Sequence, residues 1–311
     1  MKQSIIKCKS LFRYASLGML VLLLTFGNKV VAQSVDNVSS ADGNQDTVKV
    51  KKRPVKNTFE SNMLIDNQTV MVPVKGTLEF DIQHRFGIVN NGYTDFYGLF
   101  APPIIRIGFE YVPIRDLQLG VGLCSNNMQL DLNGKYALLK QKKGGMPVSI
   151  TYYGNIAIDT RAASNFVTSS DRYSYFDQLM VARKVTSNFS VQAAMSLSYF
   201  NNVPGYVNAN GEISNTVQNA QFTLSFMGRY KLTEKMAILV DYDQPLTQNY
   251  TNNPRPNLAF GLEITTSSHC FQIIAGNCQY ILPQDNAMYN QNDLSKGQYL
   301  LGFNMTKLWN F

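Results

Sequence analysis

Residues 76–87 read GTLEFDIQHRFG, and the alternation in this stretch decides the fold. Leu78, Phe80, Ile82 and Phe86 share one parity; Glu79, Asp81, Gln83 and Arg85 share the other. Successive side chains of a β-strand point to opposite faces, so the segment is a strand with one oily face and one ionised face. A soluble β-sandwich alternates in the same way, with its apolar face packed inward. A transmembrane barrel inverts that order, turning grease to lipid and charge to the lumen.

The period-two pattern returns at 105–111, 117–124, 128–138, 148–159, 191–199, 221–232, 236–243, 257–265, 270–278 and 301–311, and a strand of ambiguous parity spans 173–184. Many of these runs approach the ~9–11 residues that a tilted strand needs to cross a bilayer. About twelve strands result, an even number as in bacterial outer-membrane barrels. Connectors alternate in length. Those at 87–101, 161–170, 201–219, 244–256 and 282–296 are long, whereas 113–116, 186–188, 233–235 and 267–269 are tight. The basic turn at 141–147 keeps the order, and the short loop at 125–127 breaks it.

Two features favour the inverted arrangement over the sandwich. The polar faces carry Ser, Gln, Asn and Gly beside acid and base, as a crowded polar interior does. The apolar faces end in Tyr111, Tyr152, Tyr199, Tyr230, Tyr242 and Trp309, which suits aromatic girdles at the membrane borders. Lipid offers no hydrogen-bond partner, so the strands must close into a barrel. The expected fold is all-β: a closed antiparallel transmembrane β-barrel of about 12 strands, with long extracellular loops, short periplasmic turns and periplasmic termini.

Residues 1–32 read as a cleaved signal peptide. Lys2, Lys7, Lys9 and Arg13 precede an apolar run at 17–26, and Val30, Val31 and Ala32 supply small residues before Gln33. The run is too short for a membrane-spanning helix, which needs ~20 apolar residues. Residues 33–57 form a flexible basic tail with Lys49, Lys51, Lys52, Arg53 and Lys56, and 58–75 a lead-in packed under or inside the barrel. The formal charge of +7 owes five basic residues to the leader. Without them 23 basic residues face 21 acidic ones, a net of +2, and no nucleic-acid partner is implied.

The chain ends in Phe311 with Trp309 two residues before it, similar to the terminal signal that the barrel-assembly machinery recognises. Further, LIDNQTV (64–70), LEFDIQHRFG (78–87), FYGL (96–99) and GRYKLT (228–233) resemble a Bacteroidota family of uncharacterised outer-membrane β-barrel proteins. The resemblance runs from about Phe59 to the end, and 124–133 is less typical of it. It implies a membrane barrel and brings no substrate, cofactor or catalytic residue.

The charges of lumen parity are Glu79, Asp81, Arg85, Arg106, Glu110, Asp131, Lys135, Asp159, Arg229, Lys231, Asp241, Asp243 and Glu263. They read either as ion pairs that fill the barrel or as a polar path for a small solute. Of these, Asp159, Asp241 and Asp243 lie toward the outer end and favour cations. His84 has lipid-facing parity and reads as a girdle residue. A lipid-active enzyme would place a Ser two residues on, where Phe86 stands. His269 falls in a turn and lacks further ligands for a metal site with Cys270. Cys124, Cys270 and Cys278 read as free thiols, the last two on one strand and too far apart for a disulfide. No cofactor is expected. The expected role is passage or binding of a small polar solute through a narrow or plugged lumen, in contact with outer-membrane lipid. The alternatives are a structural or surface-interaction barrel and, last, a lipid-active enzyme.

Overall fold

The computed structural model describes residues 54–311 apart from 56, 206, 208–210, 213–217 and 250–251. The expected leader, nearly all of the basic tail and parts of the 201–219 and 244–256 loops lie outside the described residues. Among the described residues a two-stranded hairpin, β1 (Met63–Leu64) and β2 (Asn67–Gln68), precedes twelve barrel strands. These are β3 (Thr77–Ile88), β4 (Ile104–Ile114), β5 (Leu117–Cys124), β6 (Gln129–Leu139), β7 (Ser149–Asp159), β8 (Tyr173–Lys184), β9 (Phe189–Phe200), β10 (Ala220–Lys231), β11 (Met236–Pro245), β12 (Asn257–Thr265), β13 (His269–Gly276) and β14 (Leu300–Asn310). Each pairs antiparallel with its neighbours in sequence, and β14 closes on β3 with Leu300 opposite Ile88 and Asn310 opposite Thr77. Among the described residues no helix is long and apolar enough to cross a membrane.

The inversion holds strand by strand. On β3, Glu79, Asp81, Gln83 and Arg85 are buried while Leu78, Phe80, Ile82 and His84 are partly exposed. On β4, Arg106 and Glu110 are buried while Ile107, Phe109 and Tyr111 are exposed. A wall of this kind is stable only with lipid outside, because water would meet a continuous apolar band.

β8 resolves its ambiguous parity for a physical reason. Its inward positions include Phe176, Met180 and Ala182, which join an apolar cluster with Phe59, Leu64, Ile65 and Val70. The inner wall is greasy here because it faces a greasy segment rather than water. Asp177 therefore points outward, and the Tyr152 hydroxyl covers it by donating to its carboxylate. Tyr152 reaches over Gly154, which pairs with Asp177 and leaves open the space a side chain would fill.

The lead-in runs inside the barrel. Val55 donates to the Gln141 carbonyl (2.7 Å) in the β6–β7 connector, so the chain arrives at the short-turn end. Phe59, Leu64, Ile65, Val70 and Val72 are all buried. The chain then leaves through Gly76, whose φ of +86° favours glycine; a Cβ there would press on the Phe311 carbonyl. From the long-loop end the β13–β14 connector also folds inward, carrying a short helix, α1 (Pro283–Tyr289), against β8, β9 and β10. The short 125–127 loop acquires a role here: Asn126 Nδ2 donates to Asp285 Oδ2 of α1 at 2.9 Å.

Candidate functional site

The interior is built from a polar wall and the segment that fills it. The wall holds the plug mainly through side-chain amides aimed at plug backbone. Gln272 accepts from Ile65 N (3.0 Å) and donates to the Met63 carbonyl (2.9 Å). Gln192 does the same for Val70 N (2.9 Å) and the Gln68 carbonyl (2.7 Å). Asn304 and Arg85 both donate to the Ile65 carbonyl, at 2.7 and 3.0 Å, and Lys135 Nζ donates to the Asn62 carbonyl at 2.9 Å. A two-residue hairpin leaves most of its backbone groups without ladder partners, and buried groups of that kind must be satisfied from elsewhere. The inward Gln and Asn side chains supply those partners.

The sequence-predicted charges fall into groups. Arg106 lies at the centre of the largest, 2.9 Å from Asp81, 2.8 Å from Asp131 and 3.5 Å from Glu110. Its guanidinium fits because Gly108 and Gly122 flank it; a Cβ at either would overlap it and its carboxylate partners. Glu79 is buried nearby, accepting from Asn62 Nδ2 and from Gln118 Nε2 (3.3 Å). Across the barrel Arg229 pairs with Glu263 at 2.7 Å and approaches Glu60 of the lead-in at 3.8 Å. Asp241 and Asp243 meet Asp66, in the hairpin turn, and Asn67. Arg85 contacts carbonyl and amide oxygens rather than a carboxylate. Asp159 and Lys231 stand apart from the closed interior, at opposite ends of the barrel, paired with Arg161 (2.6 Å) and Glu234 (2.8 Å) of their own connectors.

Several interior residues escaped the sequence reading. Asp66, Asn67, Gln192, Gln272 and Asn304 carry no motif of their own, although the last three share the inward parity of their strands. Helix α1 lay in what reads as a loop; Pro283 at its first turn was the available signal. Within it Asp285 is buried, and desolvation pushes its carboxyl up to about 6 against the opposing hydrogen bonds from Asn126 and Gln129.

The cysteine reading needs one correction. β13 ends at Gly276, so Cys278 does not share a strand with Cys270; it lies in the inward-folded connector. Cys124, Cys270 and Cys278 are free and buried, and desolvation raises the Cys278 thiol. His84 stacks on Phe303 with ring centroids 5.1 Å apart on the outer face, and His269 Nδ1 lies 3.2 Å from Ser268 Oγ.

Residues 59–309 match the model of a family described as a membrane bound beta barrel domain (DUF5777). Among solved structures the chain is similar to the NanC porin, at 9% identity over 75% of this chain and 99% of that one, with a TM-score of 0.45. It is similar to the KdgM porin at 10% identity, covering 76% and 99%, with a TM-score of 0.43. A third likeness is to an outer membrane channel from Pseudomonas putida F1, at 11% identity over 77% and 97%, with a TM-score of 0.45. No curated protein matches the chain.

Proposed function

The chain belongs to the membrane bound beta barrel family that it matches over residues 59–309, and from that premise we propose a plugged outer-membrane barrel that passes or binds a small polar solute when its plug shifts. The observation that carries this reading is the lead-in: it and helix α1, not the wall itself, occupy the bore. An eight-stranded barrel fills its own interior with side chains, whereas twelve strands enclose more room. The wall behind that segment carries Glu79, Asp81, Arg106, Asp131 and Lys135. Charged walls hydrate once a plug withdraws. The plug is tethered at the short-turn end, where Val55 donates to the Gln141 carbonyl.

In this reading the host is a Gram-negative bacterium of the Bacteroidota, the leader is cleaved after export, and Trp309 and Phe311 are read by the barrel-assembly machinery. Eleven of the thirteen charges of lumen parity line or close the path, with Asp159 and Lys231 at its two ends, and the protein carries out no catalysis. Planar-bilayer conductance tests it: the full chain should be nearly silent and a chain lacking residues 58–75 should conduct. A correctly folded deletion that passes no current removes the pore reading. Lipase assay of the full chain against His84→Ala tests the absence of lipid chemistry.

A second reading has its own observation. In the first long connector Tyr93 and Phe100 are 81% and 80% exposed, beside Phe96 and Tyr97. Rings held out this way suit contact with another surface, as a surface-interaction barrel requires.

A further inference from the structure

We infer that Asp66, Asp241 and Asp243 form a cation site, taking a hard divalent ion of the calcium type, that latches the plug hairpin to the barrel wall. One oxygen from each of the three carboxylates lies within 4.8 Å of the other two. Asp241 and Asp243 are buried on β11, and Asp66 sits in the β1–β2 turn. Among the described residues no Lys or Arg forms an ion pair with any of them. Around Arg106 and Arg229, by contrast, buried acids meet a cation. Here the neighbours are neutral amides: Asn67 Nδ2 reaches Asp241 (3.1 Å) and Asp243 (2.8 Å), Asn257 Nδ2 reaches Asp243 (3.3 Å), and Asn286 Nδ2 reaches Asp66 (2.9 Å). Three ionised carboxylates gathered in a desolvated interior are costly unless protons or a cation neutralise them.

A second, independent observation points to an occupant. Asp66 and Asp243 line a cavity of about 10 Å³, room for one water-sized body. Thr223 lines the same cavity, is only 3% exposed, and its hydroxyl has no hydrogen-bond partner among the described residues. A buried hydroxyl left over beside a cavity is a ligand waiting for a partner.

The donor set is all oxygen: three carboxylates and a hydroxyl. That chemistry selects hard ions over zinc or copper. Magnesium holds its waters and requires near-octahedral geometry, whereas calcium accepts irregular protein cages and sheds water readily. A cavity with room for one body favours calcium. The ion would strengthen the joint between three parts that already share hydrogen bonds: the hairpin turn, the β11 wall and, through Asn286, helix α1. The site goes beyond the solute-passage reading, since a latch can bind its ion whether or not the barrel conducts.

The test uses the full chain refolded in detergent, stripped with EDTA and titrated with CaCl₂ or MgCl₂ by calorimetry. Saturable uptake of about one calcium per chain is expected, weakened at least tenfold in a D241N/D243N double variant and unchanged in D159N at the rim. Folding of each variant is checked by its heat-modifiable gel mobility. If the double variant fails to fold, D66N on the hairpin takes its place. Absence of saturable binding by the wild type overturns the site, as does equal affinity in the variants. Magnesium binding as tightly as calcium overturns the assignment of the ion. Conductance of the chain lacking 58–75 is a separate readout, so failure of the passage reading and failure of the latch are distinguishable.

Discussion

Replacing Arg106 by Met should strongly destabilise the barrel. The side chain is 5% exposed as a residue and meets Asp81 at 2.9 Å and Asp131 at 2.8 Å, with Glu110 at 3.5 Å. Breaking one buried pair by removing a partner costs about 3–5 kcal/mol, because the surviving charge is left uncompensated. Here two closely bonded carboxylates and a third nearby lose the same cation, so about 3 kcal/mol is a lower expectation. At ~1.4 kcal/mol per decade that is at least a hundredfold in the folding equilibrium. Trp309 is the sole tryptophan and stands on β14, next to the β3 seam, so its fluorescence reports barrel unfolding in urea from lipid vesicles. R106M, D131N and the double variant form a cycle. The double variant should be less damaged than the sum of the singles by more than about 1 kcal/mol, since the second change removes a charge that the first had orphaned. An R106M protein within about 1 kcal/mol of wild type, or a cycle without coupling, would refute the claim that these ion pairs hold the interior together.

Gln272→Ala should strip partners from Ile65 N and the Met63 carbonyl at about 1–3 kcal/mol each, loosening the plug rather than the wall. Faster hydrogen exchange confined to residues 60–72 is the expected readout, and uniform acceleration around the barrel would count against it. Tyr152→Phe should cost about 1.5–3 kcal/mol by uncovering Asp177 on the lipid face, and Asp177→Leu added to it should recover most of that loss in the same urea assay. Asp285, whose folded carboxyl titrates near 6 and whose unfolded one titrates near 4, should weaken the fold as pH rises through that window. The Asp285→Asn variant should therefore gain on wild type between about pH 4 and 6, by on the order of 2–3 kcal/mol, in paired thermal melts.

The wall could be read from local pattern because a strand's pleat is a two-residue property. Glu79 and Phe80 take opposite faces whatever lies elsewhere in the chain, and lipid outside makes the choice of face all-or-none. Connector lengths likewise belong to sequence, and they located the two ends of the barrel; only 125–127 stood out, and its partner Asp285 is 159 residues from Asn126. β8 resisted for the opposite reason, since Phe176 and Met180 are inward yet apolar, matched to a plug whose position no local pattern records.

By itself, then, the order of residues determined a closed strand wall and which side chains its inner face carries. Tertiary structure alone decided that residues 58–75 and helix α1 would enter from opposite ends, that Arg106 would gather Asp81 and Asp131, and that Asp66 would join Asp241 and Asp243 across 175 positions. Period and parity are short-range steric facts, fixed within a few bonds. Which buried charge meets which depends on closure of the barrel, and closure is a property of the whole chain.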